Sequence, residues 1–293
     1  MKILVTGALG QLGRELREVL ETSHPGMTVY ASHEELDITD SAAVSTYVKN
    51  GEFSHIVNCA AYTAVDHAES EPAVCNKINS EAVKNLAIAA ETAGARTLHI
   101  STDYVFDGKS FRPYRESDKV NPTSTYGTSK RKGEMLLLTM CPDAIIIRTS
   151  WLYSPYGKNF VKTMLQLGKD RESMDVVYDQ IGSPTYARDL ANAITTILFA
   201  RKWHPGIYHY ANEGVCSWYD FAKSIHRIAE IDTCQVRPIL SEDFPSQAKR
   251  PHFSVFDKTL IKKTYGICIP HWEDSLSDCI SRIAVLSDGQ RAE

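Results

Sequence analysis

The chain of 293 residues is 43% hydrophobic, enough for one large domain or two unequal ones, and its formal net charge is only −4. With no long basic run, neither nucleic acid nor an anionic membrane surface is an expected partner. Seven cysteines, an odd number with no C-x-x-C pair, fit reduced thiols in a cytoplasmic protein, and no apolar run reaches membrane-spanning length.

Short strand-like runs alternate with longer amphipathic stretches. "KILVT" leads into "QLGRELREVLE", "TVYAS" precedes "DSAAVSTYVKN", and "HIVNC" precedes "NSEAVKNLAIAAETAG". "TLHIS" follows, and "AIIIR" comes after a helix that begins near Tyr126. Continuous β-rich runs separated by helices describe a parallel sheet covered on both faces. Right-handed crossovers then make it a doubly wound α/β fold of the Rossmann type. After Arg148 aromatics and prolines become frequent, as in "SWLYSPYGKNF" and "DFPSQAKRPHF". We read residues 1–150, with about 183–204 returning to the sheet, as a dinucleotide-binding domain. Residues of about 151–182 and 205–293 form a smaller, mixed α/β C-terminal substrate domain in this reading. The segment "LSDGQRAE" from Leu286 reads as a frayed tail.

"VTGALGQLGRE" places Gly7, Gly10 and Gly13 directly after the first strand and at the opening of the first helix. Glycines there permit a tight turn and a close approach of backbone N–H groups to a pyrophosphate, and the helix N-terminus favours the anion. Asp37, in "ELDITD", is the candidate carboxylate for the adenosine end, with N-terminal helix capping as the plainer alternative. It falls after the second strand. At that strand's tip stand Ser32 and His33, with no acid until Glu34, and no arginine is evident to hold a 2′-phosphate. The missing acid leans towards NADPH over NADH.

Tyr126 and Lys130 are four apart on one predicted helix face. Y-x-x-x-K is common and by itself is usually a solvated helix face. Here it follows a nucleotide loop and a strand-end pair, Ser101 and Thr102, where open α/β sheets bind ligands. A tyrosine can protonate a forming alkoxide, and a neighbouring ammonium is expected to lower its pKa. A hydroxyl would complete the set.

This combination resembles the extended short-chain dehydrogenase/reductase family, whose triad is Ser/Thr–Tyr–Lys. "GALGQLG", "LDITD", "NCAAYTAVDHAES", "STDYVFDG", "YGTSK", "RTSWLY", "DQIGSPTYARDLA" and "AKRPHFS" are further similar, in order, to its dTDP-4-dehydrorhamnose reductase branch. The resemblance implies that Gly7, Gly10, Gln11 and Leu12 meet the cofactor phosphates and that Asp37 and Ile38 meet the adenine region. It implies Ala60, Ala61, Tyr62 and Thr63 along the cofactor, with Asn79 nearby. Tyr126 would be the proton donor, Lys130 the ribose contact and tuner of the tyrosine, and Thr102 the third catalytic group. Thr102, Asp103 and Trp151 would contact the sugar, and Arg250 the substrate pyrophosphate. The expected substrate is a dTDP-linked 4-keto-6-deoxy sugar, reduced at C4.

The resemblance allows a homodimer and, in some members, magnesium, for which the sequence names no ligands. Ten histidines show no H-x-x-x-H or carboxylate cluster, so no metal site is expected from the residues. Cys59 reads as a small buried hydrophobe, Glu69 and Glu71 as a solvated loop, and "KRKGE" as an exposed face apart from Lys130. Two rivals stand beside the reductase. One is a non-catalytic NADP-binding regulatory subunit similar to the methionine adenosyltransferase beta subunit, and the other is a reductase or epimerase of another nucleotide sugar.

Overall fold

The computed structural model describes residues 1–289, with side chains to residue 286. Six parallel strands form the main sheet: β1 (Ile3–Thr6), β2 (Thr28–Ala31), β3 (His55–Asn58), β4 (Arg96–Thr102), β5 (Ile145–Thr149) and β6 (Gly206–His209). Their spatial order is β6-β5-β4-β3-β1-β2. Every residue of β1, β3 and β5 is buried, which explains why these runs are uninterrupted by polar alternation. From β1 the chain adds β2 on one side and then β3 on the other, so the order of strand addition reverses between β1 and β3 and a crevice opens beyond their carboxyl ends.

Helices α1 (Gln11–Ser23), α2 (Ser41–Gly51), α3 (Ala82–Ala93), α4 (Thr125–Met140) and α5 (Ala187–Leu198) cover the sheet. On one face Leu12, Leu16 and Leu20 of α1 pack with Leu190, Ile194 and Ile197 of α5. On the other, Val44 and Val48 of α2 meet Leu86 and Ala90 of α3. The chain after β5 builds a second core from Tyr153, Met164, Met174, Val176, Phe221, Ile225, Trp272 and Leu276. Around it run the helices Phe160–Asp170, Trp218–Ile228 and Trp272–Gly289. The strand Ser173–Val177 pairs in parallel with Gln235–Ile239 in the same region.

Two boundaries differ from the sequence reading. Residues 206–209 pair with β5, so the main sheet takes its edge strand from the segment assigned to the smaller unit. A four-residue edge strand that follows His-Pro and opens on a glycine carries little pattern of its own. The C-terminal helix runs to Gly289 where a frayed tail was expected from Leu286, because Ile280 and Ile283 pack it on the second core; residues 290–293 of that tail lie outside the described residues. Among the described residues no helix is long and apolar enough to cross a membrane.

Candidate active site

The turn after β1 is shaped by Gly7. Its φ is +68°, and a Cβ there would stand 2.6 Å from the Ala60 nitrogen. A side chain would therefore be strained and would also push β1 away from the chain leaving β3. Gly10 is different. It is exposed, and a Cβ would meet only the Gly7 carbonyl, at 3.2 Å. Gly10 is also the N-cap of α1, and no side chain caps the first N–H groups of that helix. Those donors and the helix dipole face the crevice, a ready anion site. The residues present therefore fit a dinucleotide pyrophosphate. We expect Gly10→Val to keep the far-UV and thermal signatures of the fold while NADPH affinity falls by at least ~10²-fold, since a branched side chain would occupy the phosphate path. Fluorescence titration of the folded variant measures this, and unchanged affinity would remove the loop from the cofactor site.

A cleft of about 570 Å³ joins this loop to the ends of β4 and β5. Gly7, Gly10, Gln11, Leu12, Ala61 and Thr63 line its cofactor side, and Thr102, Asp103, Tyr126, Lys130 and Trp151 its far side. Gln11 Oε1 accepts from Asn159 Nδ2 at 2.9 Å, which ties α1 to the second core region.

Helix α4 carries Tyr126 and Lys130 on its inner face. Ser124 caps it by accepting from Gly127 N, and the Glu69 carboxylate accepts from both the amide and the hydroxyl of Thr125. Glu71 accepts from the Tyr62 hydroxyl at 2.7 Å. Glu69, expected in a solvated loop, thus ties the segment before α3 to the start of α4, while Glu71 is exposed and bonds within that segment. Ser129 and Lys130 are buried on the same face, and one turn later so is Glu134. "KRKGE" is therefore not an exposed face throughout. Arg148 grips Glu134 through Nε and Nη2, each at 2.8 Å, and Ser101 donates to it at 2.7 Å. Ser101 also lines the cleft, but its proton goes to this pair, whereas the neighbouring Thr102 bonds within the cleft.

Thr102 Oγ1 donates to Asp103 Oδ1 at 3.0 Å. Burial lifts the Asp103 carboxyl to about 6 against the opposing hydrogen bonds of Ser254 and Thr102. The Tyr126 phenol is pushed up by burial and further by the Asp103 charge, with Thr102 opposing. The sequence argument expected an ammonium to pull it down. Burial outweighs that effect here, and the Lys130 Nζ is turned elsewhere: it donates to the Ile100 carbonyl at 2.6 Å and lies 3.3 Å from His99 Nε2. Burial lowers Lys130 itself to about 8, while the charges of Glu134, Cys59 and Cys75 oppose the shift.

The other expected residues stand as follows. Trp151 takes a positive φ of 49° and stacks on Trp218 with ring centroids 3.6 Å apart. A non-glycine residue in that region is strained, and the stack holds it as a flat wall of the cleft. Trp218 itself packs on the second core. Asn79 sits in a π-type turn, Lys77–Glu81, and is buried away from the cleft. It accepts from Tyr62 N and donates to Tyr62 O, so it shapes the loop Ala60–Thr63 from behind. Ala60 N donates to Asn58 Oδ1. Asp37 does not cap α2. It accepts from Thr39 N at 2.9 Å, and Asp40 accepts from Ala42 N and Ala43 N at the helix start. Ile38 is buried and lends its carbonyl to Asn85. Arg250 lies beside the main cleft, on an adjoining cavity of about 450 Å³, and is held by Asp66 at 2.6 and 3.1 Å. Cys59 lines the cleft, and its thiol is pushed up to about 12 by burial.

Arg17 was missed. Its guanidinium lies 4.6 Å from the Tyr30 ring centroid, over the last residues of β2, and its charge acts on Glu35. It comes from α1, so spacing along β2 could not reveal it. Among the described residues no group of three or more His, Cys, Asp or Glu side chains is placed to hold a metal ion. Glu15, the buried acid of α1, is instead paired with Arg282 at 2.9 Å.

The family described as RmlD substrate binding domain matches residues 1–285. The chain is 41% identical to the dTDP-4-dehydrorhamnose reductase of Aggregatibacter actinomycetemcomitans, over 94% of this chain and 97% of that one. It is 37% identical to the dTDP-4-keto-6-deoxy-D-glucose reductase of Streptomyces niveus, over 94% of each. The crystal structure of the Bacillus anthracis dTDP-4-dehydrorhamnose reductase in complex with NADP is similar with a TM-score of 0.92, at 39% identity, covering 96% of this chain and 100% of that one. A glycine loop, a Thr–Tyr–Lys set and full-length likeness thus converge, and the chain belongs to the RmlD substrate binding domain family, that of the dTDP-4-dehydrorhamnose reductases.

Proposed function

We propose that this protein reduces the C4 ketone of dTDP-4-dehydro-L-rhamnose to dTDP-L-rhamnose with NADPH, for cell-surface polysaccharide synthesis. The observation that carries the reading is one cleft lined by the glycine loop on one side and by Thr102, Asp103, Tyr126, Lys130 and Trp151 on the other. Bound NADPH supplies the hydride. The Tyr126 hydroxyl gives its proton to the carbonyl oxygen as charge develops there, and Thr102 orients that oxygen. Asp103 accepts a sugar hydroxyl, and Trp151 with Trp218 behind it provides an apolar wall for the sugar ring. Arg250, released from Asp66, offers a fork of donors to the nucleotide diphosphate. The test is NADPH oxidation by the purified chain with the keto sugar, with product stereochemistry read by NMR.

Absence of turnover with this sugar, but turnover with the keto sugar of the D-gluco series, would move the protein to the activity named for the Streptomyces niveus relative. NADPH binding without turnover on either would favour a regulatory subunit. No step is assigned to magnesium. The seven free cysteines support a cytoplasmic setting, and size-exclusion chromatography tests the homodimer that the resemblance allows.

Cofactor choice rests on Arg17, which we assign to the 2′-phosphate, since no acid stands at the tip of β2 to repel that group. Arg17→Ala is expected to cut the NADPH-to-NADH ratio of kcat/KM by roughly tenfold, the value of about 1.4 kcal/mol. An unchanged ratio would take Arg17 out of the site.

A further inference from the structure

Behind Lys130 lies a buried polar chain that the proposed mechanism does not use. Asn58, at the end of β3, and His99, in β4, are 1% and 0% exposed. The orientation of the Asn58 amide is fixed: its Oδ1 accepts from the Ala60 backbone N–H at 3.0 Å and from Thr6 Oγ1 at 2.8 Å. A backbone N–H can only donate, so the oxygen must face it and Nδ2 must face the other way. Nδ2 stands 3.1 Å from His99 Nδ1. An amide nitrogen also only donates, so Nδ1 is the acceptor and the proton of the neutral ring sits on Nε2. Nε2–H then points at the Lys130 Nζ, 3.3 Å away.

We propose that His99, pinned by Asn58 in its Nε2–H form, is a positioning residue that favours the free amine of Lys130 over its ammonium. An ammonium has no lone pair, so it would face Nε2–H donor to donor. The amine instead accepts from Nε2–H and still donates to the Ile100 carbonyl. When Lys130 loses its proton to water in the cleft, the lone pair turns to His99. An amine held close to neutrality can give and take a proton beside Tyr126, which an ordinary lysine does poorly. Burial lowers Lys130 to about 8, and burial and then the Lys130 charge hold His99 well below the usual imidazole value, so that ring is neutral.

The other titratable groups around Nζ act the opposite way or stand apart. Glu134, one turn along α4, and the thiols Cys59 and Cys75 favour the ammonium, and the Glu134 charge is already bound by Arg148. Tyr126, on the same helix face, stays neutral at ordinary pH because burial raises it.

The inference rests on Lys130 being catalytic, and two measurements separate its failure from the failure of that reading. The first is the tautomer of His99 in the unmutated protein, by 15N NMR of histidine-labelled chain between pH 6 and 9. We expect Nδ1 unprotonated and Nε2 protonated; the opposite tautomer overturns the proposal whatever the enzyme does. The second is the pH profile of kcat/KM for His99→Gln, whose amide can turn its oxygen to Nζ. The alkaline limb is expected to move up by at least about one unit, a tenfold rise in the proton affinity of Lys130. A limb that stays in place in folded variant overturns the proposal. Full activity in Lys130→Met would instead retire the catalytic assignment itself.

Discussion

Replacing Tyr126 by phenylalanine is expected to lower turnover by at least ~10²-fold while NADPH and keto-sugar affinities stay within about twofold. The ring keeps its edge-to-face contact with Tyr104, centroids 5.4 Å apart, so packing is retained and only the transferable proton is lost. Lys130→Met should also reduce turnover and, because its amine is expected at the nicotinamide ribose, should weaken cofactor binding as well. The two losses should not add in the double variant, since both act on one proton transfer. Stopped-flow hydride transfer beside binding titrations resolves each quantity. Full activity in folded Tyr126→Phe protein would remove the tyrosine from the mechanism.

Arg148→Met is expected to cost about 3–5 kcal/mol of stability, because it leaves the Glu134 carboxylate buried without its main partner. Glu134 is 0% exposed and Arg148 1%, so solvent does little to screen the unpaired charge that would remain. The direction with pH follows from the shift. Burial alone would raise the Glu134 carboxyl, but the hydrogen bonds and charge of Arg148, with Ser101 and Arg131, bring it below its ordinary value. A depressed carboxyl stabilises the fold above its unfolded pKa and loses that contribution as pH falls through the folded one. In Arg148→Met the sign reverses. The uncompensated acid rises, so the variant's deficit should be largest at neutral pH and shrink on acidification. Glu134→Gln in the same background should recover much of the loss. Urea unfolding at pH 5 and 7.5 reads all three, and a deficit under about 1 kcal/mol at neutral pH would show that the pair is replaceable by packing.

These two residues also mark where sequence patterns become opaque. The inner face of α4 is Tyr126, Ser129, Lys130, Gly133, Glu134 and Leu137, a regular helical spacing. A reader looking for apolar periodicity sees only Leu137 and takes the rest as solvent-facing. The face is buried because its polar groups find partners from distant elements: Glu134 from Arg148 in β5, Lys130 from Ile100 and His99 in β4, Ser129 from Asn79 in the π-type turn before α3. Pairings of that kind lie 14 to 50 residues apart in the chain and leave no local mark.

What the sequence by itself determined is the part governed by local rules. Buried-strand runs, the glycine turn opening a helix, and the order of loop, strand-end hydroxyl and Tyr-x-x-x-Lys yielded the doubly wound sheet and the cleft residues Gly10, Thr102, Tyr126 and Lys130. Each depends on backbone sterics or on a repeat within a few residues. Only the tertiary structure decided that Ser101 gives its proton to Glu134, that Asn79 buttresses the loop Ala60–Thr63, and that Arg250 is held by Asp66. It alone placed Arg17 over β2, supplied β6 to the sheet edge, and set the Asn58–His99–Lys130 chain. Those outcomes depend on how desolvated polar groups satisfy one another across the core. Burial makes an unpaired polar group costly, so partners are chosen by proximity in space, and no spacing along the chain records that proximity.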